Sequence, residues 1–348
     1  MAGLTHPVDL AAWQAGQRAS QGRIRRLRAA TRALRRRPSI VEVATRRGDG
    51  PPRAVVVLDA LTTTSRRALL GPLPHLAAPV AVVGPVGLSE SLPPAGWQTA
   101  VEPADEALWR LVRPGAVVLS TGHYLALGAL AHEVAGGRGA RFVTVQHGLM
   151  TPHAPPLAQG STLLAWSDED ADFWRSGRDD VSVHVVGSQL LWDAAERRAG
   201  AVPEDAAPVF LGQLHGAELP RELMARTAEA FCLETGATYR PHPAESDRRS
   251  RAAHRRWEAE GITVDRSRTP LRELGRPVVS VFSTGVLEAA AAGVPSWVHL
   301  PDPPGWVREF WTRYRLAPWG GEPTPSPERP ATEPSAAVAE RVRGMMSG

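Results

Sequence analysis

Four short segments of this 348-residue chain hold residue types suited to moving a proton or gripping a phosphate: VQHG at 145–148, FLGQLHG at 210–216, YRPHP at 239–243 and VFSTGVLEAAAAGVP at 281–295. His147 follows an apolar run and precedes Gly148. A neutral imidazole with a pKa of about 6.5 accepts a proton from a hydroxyl at neutral pH; a lone histidine at a strand end is, however, most often structural. In YRPHP, alternation along an extended strand predicts Arg240 and His242 on the same side, with Pro241 and Pro243 stiffening the segment. A cation beside a donor ring suits a diphosphate or a departing phosphate. The plainer alternative is a turn in which Arg240 pairs with Glu245 or Asp247. Ser283 or Thr284 can cap a helix whose free N–H groups attract an anion. Gly285 lets a ligand approach the backbone, and Glu288, one turn in, can accept from ribose hydroxyls. Ordinary capping with a surface glutamate is the alternative. Gly212 ends the strand of FLGQLHG and joins this donor-side set. Gln146, Gly148, His153 (in TPHAPPLAQG) and His123 (after STG) form a second set on the acceptor side, although a structural role weighs more for His123.

The elements that must position these residues alternate regularly. Strands are predicted at 54–59, 79–83, 116–120, 141–145, 163–167 and 184–188, with amphipathic stretches between them. Continuous apolar strands separated by helices argue a parallel sheet covered on both faces. The pattern pauses and then restarts with strands at 209–212, 237–241, 262–265, 277–282 and 295–300. The fold class is therefore α/β, with two doubly wound, Rossmann-like domains facing across a cleft. The expected boundaries are a basic helical arm over 1–45, a first domain over 46–195, a linker over 196–207, a second domain over 208–320, and an irregular tail with a C-terminal helix over 321–348. Ligands bind beyond the carboxyl ends of such sheets, and all four segments lie just after strands.

Composition narrows the chemistry. The chain is 43% apolar and 22% charged, typical of a globular protein. It contains no lysine, so its 40 basic residues are all arginine. That excludes lysine Schiff bases and the lysine-bearing phosphate loop. The single cysteine, Cys232, excludes an internal disulfide and reads as a buried apolar residue. The eleven histidines form no HExxH or close His/Asp pattern, and neither a catalytic metal nor a cofactor is expected. Ser167 and Asp170 have the spacing of a helix cap rather than of a metal site. No run is long enough to span a bilayer and no signal-peptide pattern opens the chain, so a cytoplasmic protein is expected. Residues 18–37 hold nine arginines and no acid. Ile24, Leu27, Ala30 and Leu34 recur there at helical spacing, suiting a solvated arm or an anionic membrane surface on its inner face. Nucleic acid is not expected, because no aromatic residue interleaves the arm.

Taken in order, these segments resemble GT-B glycosyltransferases, and more narrowly the bacterial surface-polysaccharide group that uses cytidine-activated donors. That group includes CDP-glycerol glycerophosphotransferases of teichoic acid synthesis, capsule-type Kdo transferases, and sialyl- and polysialyltransferases. His147-Gly148 matches their His-Gly, associated with the acceptor base. Arg240-Pro241-His242-Pro243 matches their Arg-x-His-Pro, which contacts the donor phosphate. Ser283-Thr284 matches a Ser/Thr pair that binds phosphate oxygens. The run from Glu288 to Pro295 follows a pattern shared across GT-B enzymes. Gln146 stands where the glycerophosphotransferases usually carry Trp, and the acidic motif of the sialyltransferases is not found. The resemblance implies metal-independent transfer of a sugar or polyol phosphate from a nucleotide-sugar or CDP-polyol donor to a glycan or lipid-linked acceptor. His147 would be the base, and His242 and its neighbours would hold the departing nucleotide. Two rivals remain: a UDP-N-acetylhexosamine 2-epimerase of the same architecture, and a non-catalytic protein led by its arginine arm.

Overall fold

The computed structural model describes residues 3–20, 39–46, 50–94, 96–216, 218–267 and 269–347. The chain divides into two units, one of Met1–Gln189 with Pro330–Gly348, the other of Leu190–Arg329. From residue 21 onward the expected basic helix of 18–37 lies outside the described residues.

The first unit opens with helix α1 (Leu10–Ser20) and continues through β1 (Ile40–Arg46), β2 (Ala54–Val57), α2 (Thr63–Leu69), β3 (Val80–Gly84), β4 (Trp97–Pro103) and α3 (Ala104–Leu111). It goes on with β5 (Val117–Ser120), α4 (Ala126–Arg138), β6 (Arg141–Val145), β7 (Thr162–Ala165), α5 (Asp168–Arg175) and β8 (Ser182–Val185). Its strands form a sheet in the order β4-β1-β3-β2-β5-β6-β7-β8. Side chains of a strand point alternately to opposite faces, and both faces are covered. Val55, Val57, Ala81, Val83 and Val118 pack under Leu108 and Leu111 of α3 and Ala131 and Val134 of α4. Val56, Val82 and Leu119 face Leu69 and Leu73, together with Val338, Ala339 and Val342 of the C-terminal helix (Pro334–Ser347).

The sheet is mixed rather than wholly parallel, because β1 runs antiparallel to both β3 and β4. The sequence pattern predicts neither strand. Glu42 interrupts the apolar run of β1, yet it is buried, its carboxylate accepting the Gly87 N–H at 2.7 Å and the Ser89 N–H at 3.2 Å. These bonds outweigh the opposing effect of burial and hold its pKa below the ordinary value. Strand β4 is the sheet edge, and four of its seven residues are exposed, so it lacks an apolar signature.

The second unit contains α6 (Gln189–Glu196), whose first residue marks the boundary, then β9 (Val209–Leu211), α7 (Arg221–Thr235), β10 (Thr238–Arg240), α8 (Arg248–Ala259), β11 (Val278–Ser280), α9 (Thr284–Ala291), β12 (Ser296–Val298) and α10 (Gly305–Arg313). Its four strands lie in the order β10-β9-β11-β12, all parallel. On one face Val209, Leu211 and Val278 meet Ala289 and Ala292. On the other, the Phe210 ring lies 5.4 Å from Phe231, and Tyr239 lies 4.7 Å from Trp257. The predicted strand at 262–265 is reduced to one bridge between Val264 and Tyr239.

Three expected boundaries shift. Strand β1 crosses the arm boundary at 45/46. Within residues 196–207, Ala199 donates to the Ala292 carbonyl at 2.8 Å and Val202 packs against the core of the second unit, while most of the segment is exposed. The tail from 321 splits, Thr324 bonding to Ser296 of the second unit while Pro330 onward belongs to the first.

Each sheet has a point where strand order reverses. In the first unit it lies between β2 and β5, and in the second between β9 and β11. Crevices at such points bind ligands in open α/β sheets.

Candidate functional site

In the second unit, three of the four segments meet around the end of β9. Gly212 donates its N–H to the Arg240 carbonyl at 2.8 Å. A Cβ here would lie 2.2 Å from the Tyr239 hydroxyl and 2.6 Å from a Glu245 oxygen, so the glycine is required by packing behind the loop. The Gln213 side chain then spans the reversal point. Its Oε1 accepts from Ser280 Oγ at 3.0 Å and from the Phe282 N–H at 3.1 Å. That orientation leaves the two Nε2 hydrogens as donors. His215 stacks on His242 with ring centroids 3.8 Å apart and planes 15° from parallel.

Glu245 ties these loops together from below. It accepts from the Leu214 N–H at 3.0 Å, the Tyr239 hydroxyl at 2.9 Å and the His242 N–H at 3.3 Å, and it lies 3.0 Å from His254 Nε2. Burial alone would raise its pKa, but the hydrogen bonds prevail and hold it below the ordinary carboxylate value. The alternative pairing of Arg240, with Glu245 or Asp247, gives way to another. Its guanidinium lies 3.4 Å from Asp265 and donates to the carbonyls of Thr269 at 2.6 Å and Ser267 at 3.3 Å. The alternation that predicts Arg240 and His242 on one side does not extend past the end of the strand. The strand ends at Arg240, and Pro241 leads into a turn closed by Glu245 N–H to the His242 carbonyl at 2.8 Å, so alternation no longer applies. Pro243 is exposed in that turn.

Ser283 caps α9, its Oγ accepting the Gly285 N–H at 3.1 Å, and Thr284 is the first helical residue. Gly285 has a packing reason of its own, because a Cβ there would stand 2.6 Å from Leu211 Cδ1. Glu288 is half-buried on the same helix. Tryptophans brace this edge: Trp311 Nε1 donates to the Val281 carbonyl at 2.7 Å, and Trp306 lies edge-on to Phe282 at 5.7 Å.

In the first unit, His123 and His147 occupy equivalent places. Ser120 of β5 pairs with Thr144 of β6, and each histidine follows three residues later. The Nδ1 of each is buried and makes no hydrogen bond among the described residues. Burial lowers both pKa values to about 4, helped at His123 by His132 and Arg178. Both rings are therefore neutral acceptors at pH 7. The His123 ring also lies 5.2 Å from His132, which meets Phe142 edge-on at 5.0 Å.

Gln146 is not exposed to an acceptor; it is 1% accessible and fully engaged. Its Nε2 donates to Asp170 at 2.6 Å and to the Gly148 carbonyl at 3.0 Å, and its Oε1 accepts the Trp166 N–H at 2.8 Å. The pair Gln146–Gly148 thus builds the turn that presents His147. Ser167 caps α5 by accepting the Asp170 N–H at 3.2 Å, as its spacing predicts. His153 lies in the loop beneath α1, its carbonyl accepting from Trp13 Nε1 at 2.7 Å.

Four residues that matter here escape sequence reasoning. Gln213 and His215 lie within a quoted segment but match no motif. Glu245 resembles any turn acid. Asp59, at the first unit's reversal point, accepts the Leu127 and Gly128 N–H groups at 2.8 and 3.0 Å; burial nevertheless raises its pKa.

Fold and site together define an α/β protein with two units, each presenting histidines beyond the carboxyl ends of parallel strands. No family model and no curated protein sequence matches the chain. Solved structures with loosely similar backbones include the UDP-GlcNAc 2-epimerase from Methanocaldococcus jannaschii, at 12% identity over 85% of this chain and 99% of that one, with a TM-score of 0.45. They include a glycosyltransferase from Rickettsia africae ESF-5, at 10% identity over 85% of this chain and 93% of that one, with a TM-score of 0.40. The glycotransferase of kitacinnamycin gives 13% identity over 86% of this chain and 95% of that one, with a TM-score of 0.40.

Proposed function

We propose that this protein is a GT-B-type transferase that moves a sugar or polyol phosphate from a nucleotide-activated donor, CMP- or CDP-linked, to a hydroxyl of a glycan or lipid-linked acceptor, without a metal ion. The observation that carries this reading is the convergence of the 212–216 loop, the 240–243 turn and the capped start of α9 around the β9/β11 reversal point. A donor phosphate held there meets Ser283, Thr284 and the helix N–H groups, the Gln213 amide and the His242 ring, with Arg240, paired to Asp265, bracing the root of the turn. These fixed donors stabilise charge building on the departing nucleotide. His147 takes the proton of the acceptor hydroxyl. With a CMP-sugar, the acceptor oxygen bonds to the anomeric carbon as the bond to CMP breaks, inverting that centre. With CDP-glycerol, the attack falls on phosphorus and CMP leaves. An inner membrane face, bound through residues 18–37, would bring a lipid-linked acceptor near.

The test is calorimetry with CMP, CDP, UMP, UDP, GDP and ADP on wild type and His242→Ala. Selective cytidine-nucleotide binding, weakened about tenfold or more in the variant, is expected, because one charge-assisted hydrogen bond contributes about 1.5–3 kcal/mol. Preference for UDP would move the reading to the epimerase or to a UDP-sugar transferase. No nucleotide binding would sink it.

A further inference from the structure

His215 matches none of the recognised motifs, yet its ring lies flat on His242. The two imidazoles differ in what they can do. His242 Nδ1 accepts the Ala244 N–H at 3.1 Å, which leaves its proton on Nε2. Protonation at Nδ1 would break that bond, so His242 is set as a neutral donor. The buried Nδ1 of His215 has no hydrogen-bond partner among the described residues. A second proton on His215 therefore costs no existing bond.

Opposing that proton are burial, His242 and Arg221, while Glu245 favours it; the balance holds His215 at about 4. Among the described residues, the charged or titratable groups linked to these loops come from several elements. Glu245 and Asp247 come from the turn after β10, Arg221 from α7, Tyr239 from β10, His254 from α8, and Glu218 from the loop of His215 itself. Two of these carboxylates are already engaged. Glu245 receives the donors described above, while Asp247 caps α8 and lies 3.5 Å from Arg221. Arg221 in turn donates to the Leu214 carbonyl at 2.7 Å and to Ser250 Oγ at 2.7 Å. A bound phosphate would add the negative charge needed to hold a proton on His215.

We propose that the stacked pair is a phosphate-binding element in which His242 donates a hydrogen bond and His215 takes up one proton as the nucleotide phosphate binds. It rests on the donor-site reading above. The proton comes from the buffer, and no covalent bond is made or broken. An imidazolium stacked on a neutral imidazole then presents one positive charge and two N–H donors to the phosphate, in a chain that has no lysine for that purpose.

The experiment is calorimetric titration of wild type with the tightest-binding nucleotide of the panel, at pH 7.0–8.5, in phosphate-free buffers of differing ionisation enthalpy. In this range the nucleotide phosphate, with a pKa of about 6, has largely finished titrating. Wild type should take up protons on binding, more at pH 7.0 than at pH 8.5, with Kd rising as pH rises. His215→Phe, which keeps the stack but removes both ring nitrogens, should bind more weakly at pH 7 and lose the uptake and the slope. If nucleotide binds wild type with no uptake, or His215→Phe retains it, this proposal is overturned while the donor site stands. If no nucleotide binds, both fall. If His215→Phe fails to fold, absence of uptake in wild type still overturns the proposal, and His215→Gln serves as the second variant.

Discussion

At the residue scale, the two units prepare their histidines in different ways. His147 is held by a neighbour that is itself buried: Gln146 spends its whole amide on Asp170, Gly148 and Trp166. Gln146→Ala removes the 2.6 Å donor from a carboxylate that is 1% exposed. It should cost about 2–3 kcal/mol in urea unfolding and, under the proposed function, lower the transfer rate by loosening the turn. An unchanged unfolding midpoint would show that the amide is not holding the turn. The low pKa of His147 also has a kinetic consequence. A ring held at about 4 stays unprotonated well below its ordinary 6.5, so the acid limb of kcat/KM should lie below pH 6.5. A limb centred at 6.5–7 would exclude this ring, as it stands in the free protein, from the role of base.

At the scale of elements, what matters is how loops are locked to strand ends. Gly212 sits against the buried Tyr239–Glu245 hydrogen bond, with no room for a methyl group. Gly212→Ala should destabilise the protein by about 2–4 kcal/mol and weaken nucleotide binding with it, because overpacking there also breaks a buried polar network. Wild-type stability in thermal and urea unfolding would show that the network yields. The post-strand segments RPHP and FSTG were legible because prolines, a cation, a ring and a Ser-Thr-Gly cap stand out in any strand-then-loop reading. Gln213 and Glu245 were not legible, since an isolated Gln or Glu after a strand is usually solvated. Only the β9/β11 pairing and the 242–245 turn give them their partners.

At the scale of the whole molecule, His123, His147 and His215 are all held at about 4 against an ordinary 6.5. Each binds its proton more readily in the unfolded chain. Their contribution to stability is therefore intact above about pH 6.5 and is lost as pH falls toward 4. The melting temperature should drop by about 5–10 °C between pH 7 and pH 5; a flat profile over that range would contradict the burial of these rings. The C-terminal helix belongs to the same scale, since it returns from the end of the chain to complete the first unit. Removing residues 330–348 uncovers Leu69 and Leu73 and takes away Val338, Val342 and Met346. A loss of about 3–6 kcal/mol in unfolding free energy is expected, read as a lower urea midpoint.

By itself the sequence determined the α/β alternation, most of the parallel strands and the post-strand places of the histidines, because apolar runs and the residues that end them are local properties. Tertiary structure decided the rest. It recruited β1 and β4 as antiparallel strands, since a buried Glu42 is tolerable only once the Gly87 and Ser89 N–H groups are brought to it. It turned Arg240 toward Asp265 and set His215 against His242. Each of these depends on which distant backbone lies within hydrogen-bond reach, and pattern along the chain does not carry that information.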